Sequence, residues 1–142
     1  MNAGAFPQQS GKQEDSLAKW IAKTFPSYAD EIESHRSISI KQAAKLIGTD
    51  SSSFLQLGIF VPSLRIAFEY NGEYWHSDEM IKARSRGKFK TADEYHDKKM
   101  EECEHAGIIL VFIWEQDWLN DRNTMEHAII NAIQRAIDIH DS

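Results

Sequence analysis

Glu69, Asn71 and His76 stand within a single short stretch, LRIAFEYNGEYWHSDE at positions 64–79, and His96, Asp97 and Lys99 within another, YHDKK at 95–99. The first begins with the apolar–polar alternation of a half-buried strand, then gathers an acid, an amide, a glycine, the aromatics Tyr74 and Trp75 and a histidine. An acid at a strand end, with a histidine and a second acid nearby, suits activation of water by a divalent metal and a general base. Glu14 adds a further acid on the apolar face of a helical pattern. An unpaired carboxylate there is costly and implies a partner, most simply a lysine or arginine. Each residue also has an ordinary reading. Glu69 alone is a solvated strand acid, Tyr74 and Trp75 are packing aromatics, and His96 is a hydrogen-bonded core histidine.

The elements that must position these groups follow from periodicity. SGKQEDSLAKWIAKTFP (10–26) predicts a helix with a capping box at Ser10 and Gln13, apolar residues Leu17, Ile21 and Phe25 at helical spacing, and Pro26 as its stop. SIKQAAKLIG (39–48) predicts a short helix capped at Ser39 and ended by Gly48. SFLQLGIFV (53–61) and LRIAFEY (64–70) predict an antiparallel hairpin turning at Pro62 and Ser63. Positions 77–91 read as a long basic loop carrying Lys82, Arg84, Arg86, Lys88 and Lys90 around Gly87, either a functional loop or a solvated surface. ADEYHDKKMEECEHAG (92–107) predicts a helix with His96, Met100 and Cys103 inward and Asp97 and Lys99 on opposite flanks. IILVFIW (108–114) predicts a continuously buried strand, and NTMEHAIINAIQRAIDI (123–139) a last helix with a capping box at Asn123 and Glu126. This order predicts an α/β fold: a single three-layer domain over 10–142, with a small mixed sheet flanked by helices, after a flexible leader at 1–9.

Composition limits the chemistry. With 142 residues and 42% hydrophobic content, one compact core is the expectation. No apolar run approaches a membrane span and no signal-peptide pattern opens the chain, so a cytoplasmic location without membrane attachment is expected. The lone Cys103 permits no internal disulfide and no cysteine-built zinc site. A net charge of −6 argues against a general nucleic-acid coat, though not against an enzyme whose acids hold metal.

VPSLRIAFEYNGEYWHS (61–77), followed by YHDKKMEECEHAGIILVFIWEQDW (95–118), resembles the nuclease core of very-short-patch repair endonucleases and of the phage homing endonucleases of the EDxHD family. Both groups lie within the PD-(D/E)XK superfamily. The resemblance covers roughly 10–118 and implies a restriction-endonuclease-like core, Mg²⁺ or another hard divalent cation as cofactor, and double-stranded DNA as substrate. It also implies a sequence-reading module, expected to fall outside this chain, and a homodimer formed through that module.

Residue by residue, the resemblance makes Glu14 the acid that reaches in from the N-terminal helix. It makes His76 the general base or proton relay and Asp97 the acid that orients it. Glu69 and the Tyr70 carbonyl fall at metal-proximal positions, and Asn71 stands where the superfamily usually has a lysine. His96 and Lys99 join the catalytic set, Lys99 steadying the phosphate. Trp75, Asn71 and the basic run from Lys82 through Arg84, Arg86 and Lys88 to Lys90 would contact DNA. The resemblance departs at Gly58, which stands where the family has its metal-ligand aspartate. An inactivated nuclease is the favoured explanation, ahead of a metal held by Glu69 and Glu14 and of a domain kept only for binding. Two further classes stay open: a mismatch nickase, for which a single cysteine makes structural zinc doubtful, and a non-catalytic DNA-binding or interaction module.

Overall fold

The computed structural model describes residues 11–72 and 77–141. Four strands lie side by side in chain order: β1 (Arg36–Ser39), β2 (Gln56–Val61), β3 (Ile66–Asn71) and β4 (Ile109–Trp114). The first three are antiparallel, and β4 runs parallel to β3. A parallel neighbour requires a crossover, supplied here by the helices α4 (Asp78–Arg84) and α5 (Ala92–Ala106). The expected α/β class with a mixed sheet between helices is therefore present.

Alternation along β3 divides the core into two faces. Ile66, Phe68 and Tyr70 join Ile59, Val61 and Ile113 under α1 (Gly11–Thr24), α2 (Ala29–Ser34), α6 (Glu115–Asn120) and α7 (Arg122–His140), through Leu17, Ile21, Ile32, Trp118, Ile129 and Ile133. Ala67 joins Phe60 and Leu110 under α3 (Ile40–Ile47) and α5, through Ala43, Ala44, Cys103 and Ala106. Glu69 and Asn71 share the parity of Ala67 and so belong to the α5 face. A small third cluster of Ile81, Phe89 and Tyr95 seats α4 against the start of α5.

Local signals set the helix ends that matter for this arrangement. Ser39 caps α3 as expected, in a capping box with Gln42, and Gly48 ends it at φ 81°. The Thr91 side chain accepts from the Glu94 amide at the start of α5, and Gly107 ends that helix at φ 79°. Thr49 Oγ1 then donates to the Ala106 carbonyl at 2.7 Å, tying the two helix ends together.

Several expectations are corrected. All six residues of β3 are buried, whereas β4, expected to be buried throughout, is an edge strand with Ile109 46% and Trp114 41% exposed. The central strand reads as half-polar because its acid and amide, Glu69 and Asn71, are themselves buried. The segment 77–91, expected as loop, contains α4, whose N-cap Ser77 accepts from the Met80 amide. Strand β1 and helices α2 and α6, each six residues or shorter, carry too little periodicity to be read. Helix α7 starts at Arg122 without a side-chain cap, so the Asn123–Glu126 box does not form. Lys99, expected on a helix flank, is buried. Ser10 and the leader at 1–9 lie outside the described residues. Among the described residues no helix is long and apolar enough to cross a membrane.

The inversion of centre and edge has a measurable consequence. Phe68→Ala, in the central strand, should cost about 3–5 kcal/mol of unfolding free energy, as deletion of a fully buried aromatic does. Ile109→Ala, on the edge, should cost well under about 1.5 kcal/mol. Urea midpoints of the two variants at equal m-value check this; similar losses at both positions would contradict an edge placement of β4.

Candidate active site

Lys99 is the centre of the polar cluster. Only 1% of it is exposed, and its ammonium is ion-paired to Glu69 Oε1, donates to the Gln56 carbonyl at 2.7 Å and lies 4.6 Å from the centre of the Tyr95 ring. Burial pulls the lysine pKa down, but Glu69 and Tyr95 outweigh it and the net direction is up, so the amine stays charged. Helical spacing explains the placement, since Lys99 lies on the Tyr95–Cys103–Ala106 stripe of α5, all buried. Its charge, not its spacing, suggests an outward position.

The sheet opens to receive it. The β2–β3 ladder pairs Val61 with Ile66, Phe60 with Ala67 and Ile59 with Phe68, and no pair follows. Beyond Ile59 the β2 backbone is free of β3, which leaves the Gln56 carbonyl to accept from Lys99 and leaves Glu69 facing α5.

Glu69 is 3% exposed and Asn71 1% exposed. Among the described residues, Glu69 Oε2 and both side-chain polar atoms of Asn71 are buried without a hydrogen-bond partner. Such groups cost free energy unless something satisfies them, so their presence two residues apart on one face marks a place for a polar ligand or water.

Glu14 comes to this region from the first turn of α1. A Cβ built on Gly58 would stand 2.8 Å from Glu14 Oε2 and 3.2 Å from the Phe68 carbonyl oxygen. The glycine therefore has a local reason: the Glu14 carboxylate fills the space that a side chain at 58 would take. The partner expected for Glu14 is Arg36, whose Nη2 lies 3.8 Å from Glu14 Oε1 and also bonds Asp15. Burial, reinforced by Glu69 and Asp15 and opposed by Arg36 and Lys99, raises the Glu14 pKa. Glu14, Glu69 and Lys99 thus act on one another as one electrostatic cluster.

The remaining predicted residues divide. His96 is buried, with ring centres 5.0 Å from Phe112 and 5.3 Å from Trp114; burial lowers its pKa and favours the neutral imidazole. Register places Phe112 beside Glu69 and Trp114 beside Asn71, so this aromatic group borders the acids. Asp97 is exposed, on a different side of α5 from Lys99. The Tyr70 side chain points to the opposite face of the sheet, where its hydroxyl donates to Glu115 Oε2 at 3.3 Å. Lys82, Arg86, Lys88 and Lys90 are exposed. Arg84 is set apart from them: it is half-buried, its pKa is lowered by burial, and Tyr95 and Glu69 act on it. His76 and Trp75 lie outside the described residues. Sequence reasoning missed Tyr95, Arg36 and the Gln56 carbonyl, the last two because neither lies in a motif.

Among the described residues, no three or more histidines, cysteines, aspartates and glutamates gather into a metal-holding group. Glu69 and Asn71 lie two residues apart on one strand face, with a lysine already on Glu69, and Glu14 acts on Glu69 electrostatically.

Two outcomes are expected. Because the Glu14 pKa is raised in the folded state, its ionisation opposes folding: stability is fullest below the unfolded value near 4.5 and falls as pH rises toward the folded value. Glu14→Gln should therefore raise Tm at neutral pH, with the gain vanishing on acidification; a lower Tm at pH 7 would contradict it. Gly58→Ala should destabilise by about 1–3 kcal/mol through overpacking, and by less in a Glu14→Ala background, which a double-mutant cycle reads directly. Comparison of the chain with family models, with curated proteins and with solved structures returned no match.

Proposed function

We propose that this domain hydrolyses DNA phosphodiester bonds with Mg²⁺ or another hard divalent cation, on a restriction-endonuclease-like core of the kind found in very-short-patch repair and EDxHD homing endonucleases. One observation carries the reading: near the end of the central strand a buried carboxylate ion-paired to a buried ammonium keeps one oxygen unpartnered among the described residues, an amide two residues on is equally unpartnered, and a second carboxylate, seated over a glycine, acts electrostatically on the first.

The donor set fits a hard cation. Glu69 Oε2, the Asn71 side-chain oxygen and the Glu14 carboxylate are oxygen ligands of the type Mg²⁺ takes, and the space over Gly58 lets Glu14 serve where the family has an aspartate. This favours retention of a metal site over its loss at Gly58. A bound cation supplies Lewis-acid polarisation of the phosphodiester. The protein does the rest by positioning. Glu69 and Glu14 set the place of negative charge, the aromatic group of His96, Phe112 and Trp114 borders it on one side, and a neutral imidazole accepts the proton of the attacking water. His96 is held neutral by its burial; His76 takes that role by the resemblance. Exposed Lys82, Arg86, Lys88 and Lys90 hold the DNA backbone without reading sequence.

A second reading, a nuclease fold kept for binding alone, is favoured by the ion pair between Lys99 and Glu69, which occupies one carboxylate oxygen. Nicking of supercoiled plasmid in Mg²⁺, absent with chelator, separates the two. On the nuclease reading Glu69→Gln should reduce nicking by roughly 10²-fold or more, the scale for loss of a group that stabilises developing charge. Replacing Lys82, Arg86, Lys88 and Lys90 with alanine should flatten the salt dependence of DNA binding by roughly 0.9 per lost phosphate contact. DNA binding without any nicking selects the binding module.

A further inference from the structure

We propose that Lys99 is a built-in counter-cation that holds Glu69 against divalent metal until a DNA phosphate offers its ammonium another anion, so that metal and DNA bind cooperatively. This rests on the nuclease reading for the identity of the second ligand.

The geometry separates Lys99 from an ordinary structural lysine. Its ammonium has three protons, and it meets Glu69 of β3, the Gln56 carbonyl of β2 and Tyr95 of its own helix. No donor is left for a substrate phosphate while these contacts stand. A purely structural pair would be expected to satisfy both oxygens of a buried carboxylate. Here, among the described residues, Glu69 Oε2 has no partner, and neither has the adjacent Asn71 side chain. The pair therefore closes one half of the carboxylate and leaves the other half beside an unused amide oxygen.

Charge sets the consequence. Glu69 and Lys99 together are neutral, so a divalent cation at Oε2 meets a carboxylate already neutralised and an ammonium within one carboxylate's width. Glu14 is the further acid at hand, and Arg36 stands 3.8 Å from it. Each phosphodiester brings one negative charge. If the ammonium turns toward it, Glu69 regains its full charge for the metal, and the metal in turn releases the ammonium to the phosphate. By linkage the two ligands raise each other's affinity by the same factor.

Calcium is a suitable probe, since it takes the same oxygen donors. Titration calorimetry of the full chain with Ca²⁺, alone and with a short DNA duplex, should show weak binding that the duplex strengthens by about tenfold or more. Lys99→Gln keeps a hydrogen-bond donor without the charge. It should bind Ca²⁺ about tenfold tighter than the wild type without DNA, with little further gain from the duplex. Equal Ca²⁺ affinity in wild type and Lys99→Gln overturns the proposal. Should Lys99→Gln fold only with Ca²⁺, seen as a Tm rising with metal, the proposal stands. Should it fail to fold at any Ca²⁺ while the neutral pair Glu69→Gln/Lys99→Met folds, Lys99 is structural and the proposal falls. Absence of duplex binding by the wild type sinks the nuclease reading instead, and the comparison without DNA still decides the role of Lys99.

Discussion

The buried ion pair of Lys99 with Glu69 is the constraint around which the rest of this domain is arranged. Taking either charge out of water costs several kcal/mol, and removal of one partner leaves the other uncompensated. The pair fixes α5 against the central strand at a position where apolar packing alone would not choose a register. It also demands a second acceptor, which the Gln56 carbonyl supplies because the β2–β3 ladder has ended at Ile59 and Phe68. A sheet hydrogen-bonded to its end would have no carbonyl to give. The opening of the sheet and the burial of the lysine are thus one feature seen from two sides.

Glu14 and Gly58 show a related compromise. A strand glycine weakens the strand, and a buried acid with a raised pKa weakens the fold at neutral pH. Neither is favourable alone. Together they bring a carboxylate from a helix to the strand that borders Glu69. Groups that oppose stability are ordinarily paired or removed where folding alone decides, so a raised-pKa acid held over a strand glycine singles out this part of the domain.

Much of the fold was legible in the sequence where a single face is apolar. The stripe of Leu17 and Ile21, the cap at Ser39 and the glycine stops at 48 and 107 each act locally, and each lies where expected. The sheet's centre was not legible, because burial of β3 depends on helices brought to both faces by distant segments. Glu69 and Asn71 break the apolar run that would have announced a central strand, and IILVFIW supplies such a run at the edge. Of the site, Glu14 was legible as an acid needing a partner. Its seat over Gly58 was not, since a glycine states only that a side chain is missing and not what fills its place. Lys99 was misplaced for the opposite reason: its position on the α5 stripe pointed inward, and its charge pointed outward.

The position of the cluster follows from strand direction. β3 is antiparallel to β2 and parallel to β4, so the end of β3 is where the chain leaves for the crossover helices and where α5 returns above it. On the β2 side the ladder stops early and admits Lys99 and Glu14. On the β4 side it continues to Asn71 and Trp114, so the acids are bordered there by Phe112, Trp114 and the His96 ring that packs on both. One flank is therefore charged and open in backbone, the other aromatic and closed. Glu69 and Asn71 stand between these two flanks, so strand order sets unlike chemistry on either side of the same two side chains: ionic toward β2, aromatic toward β4.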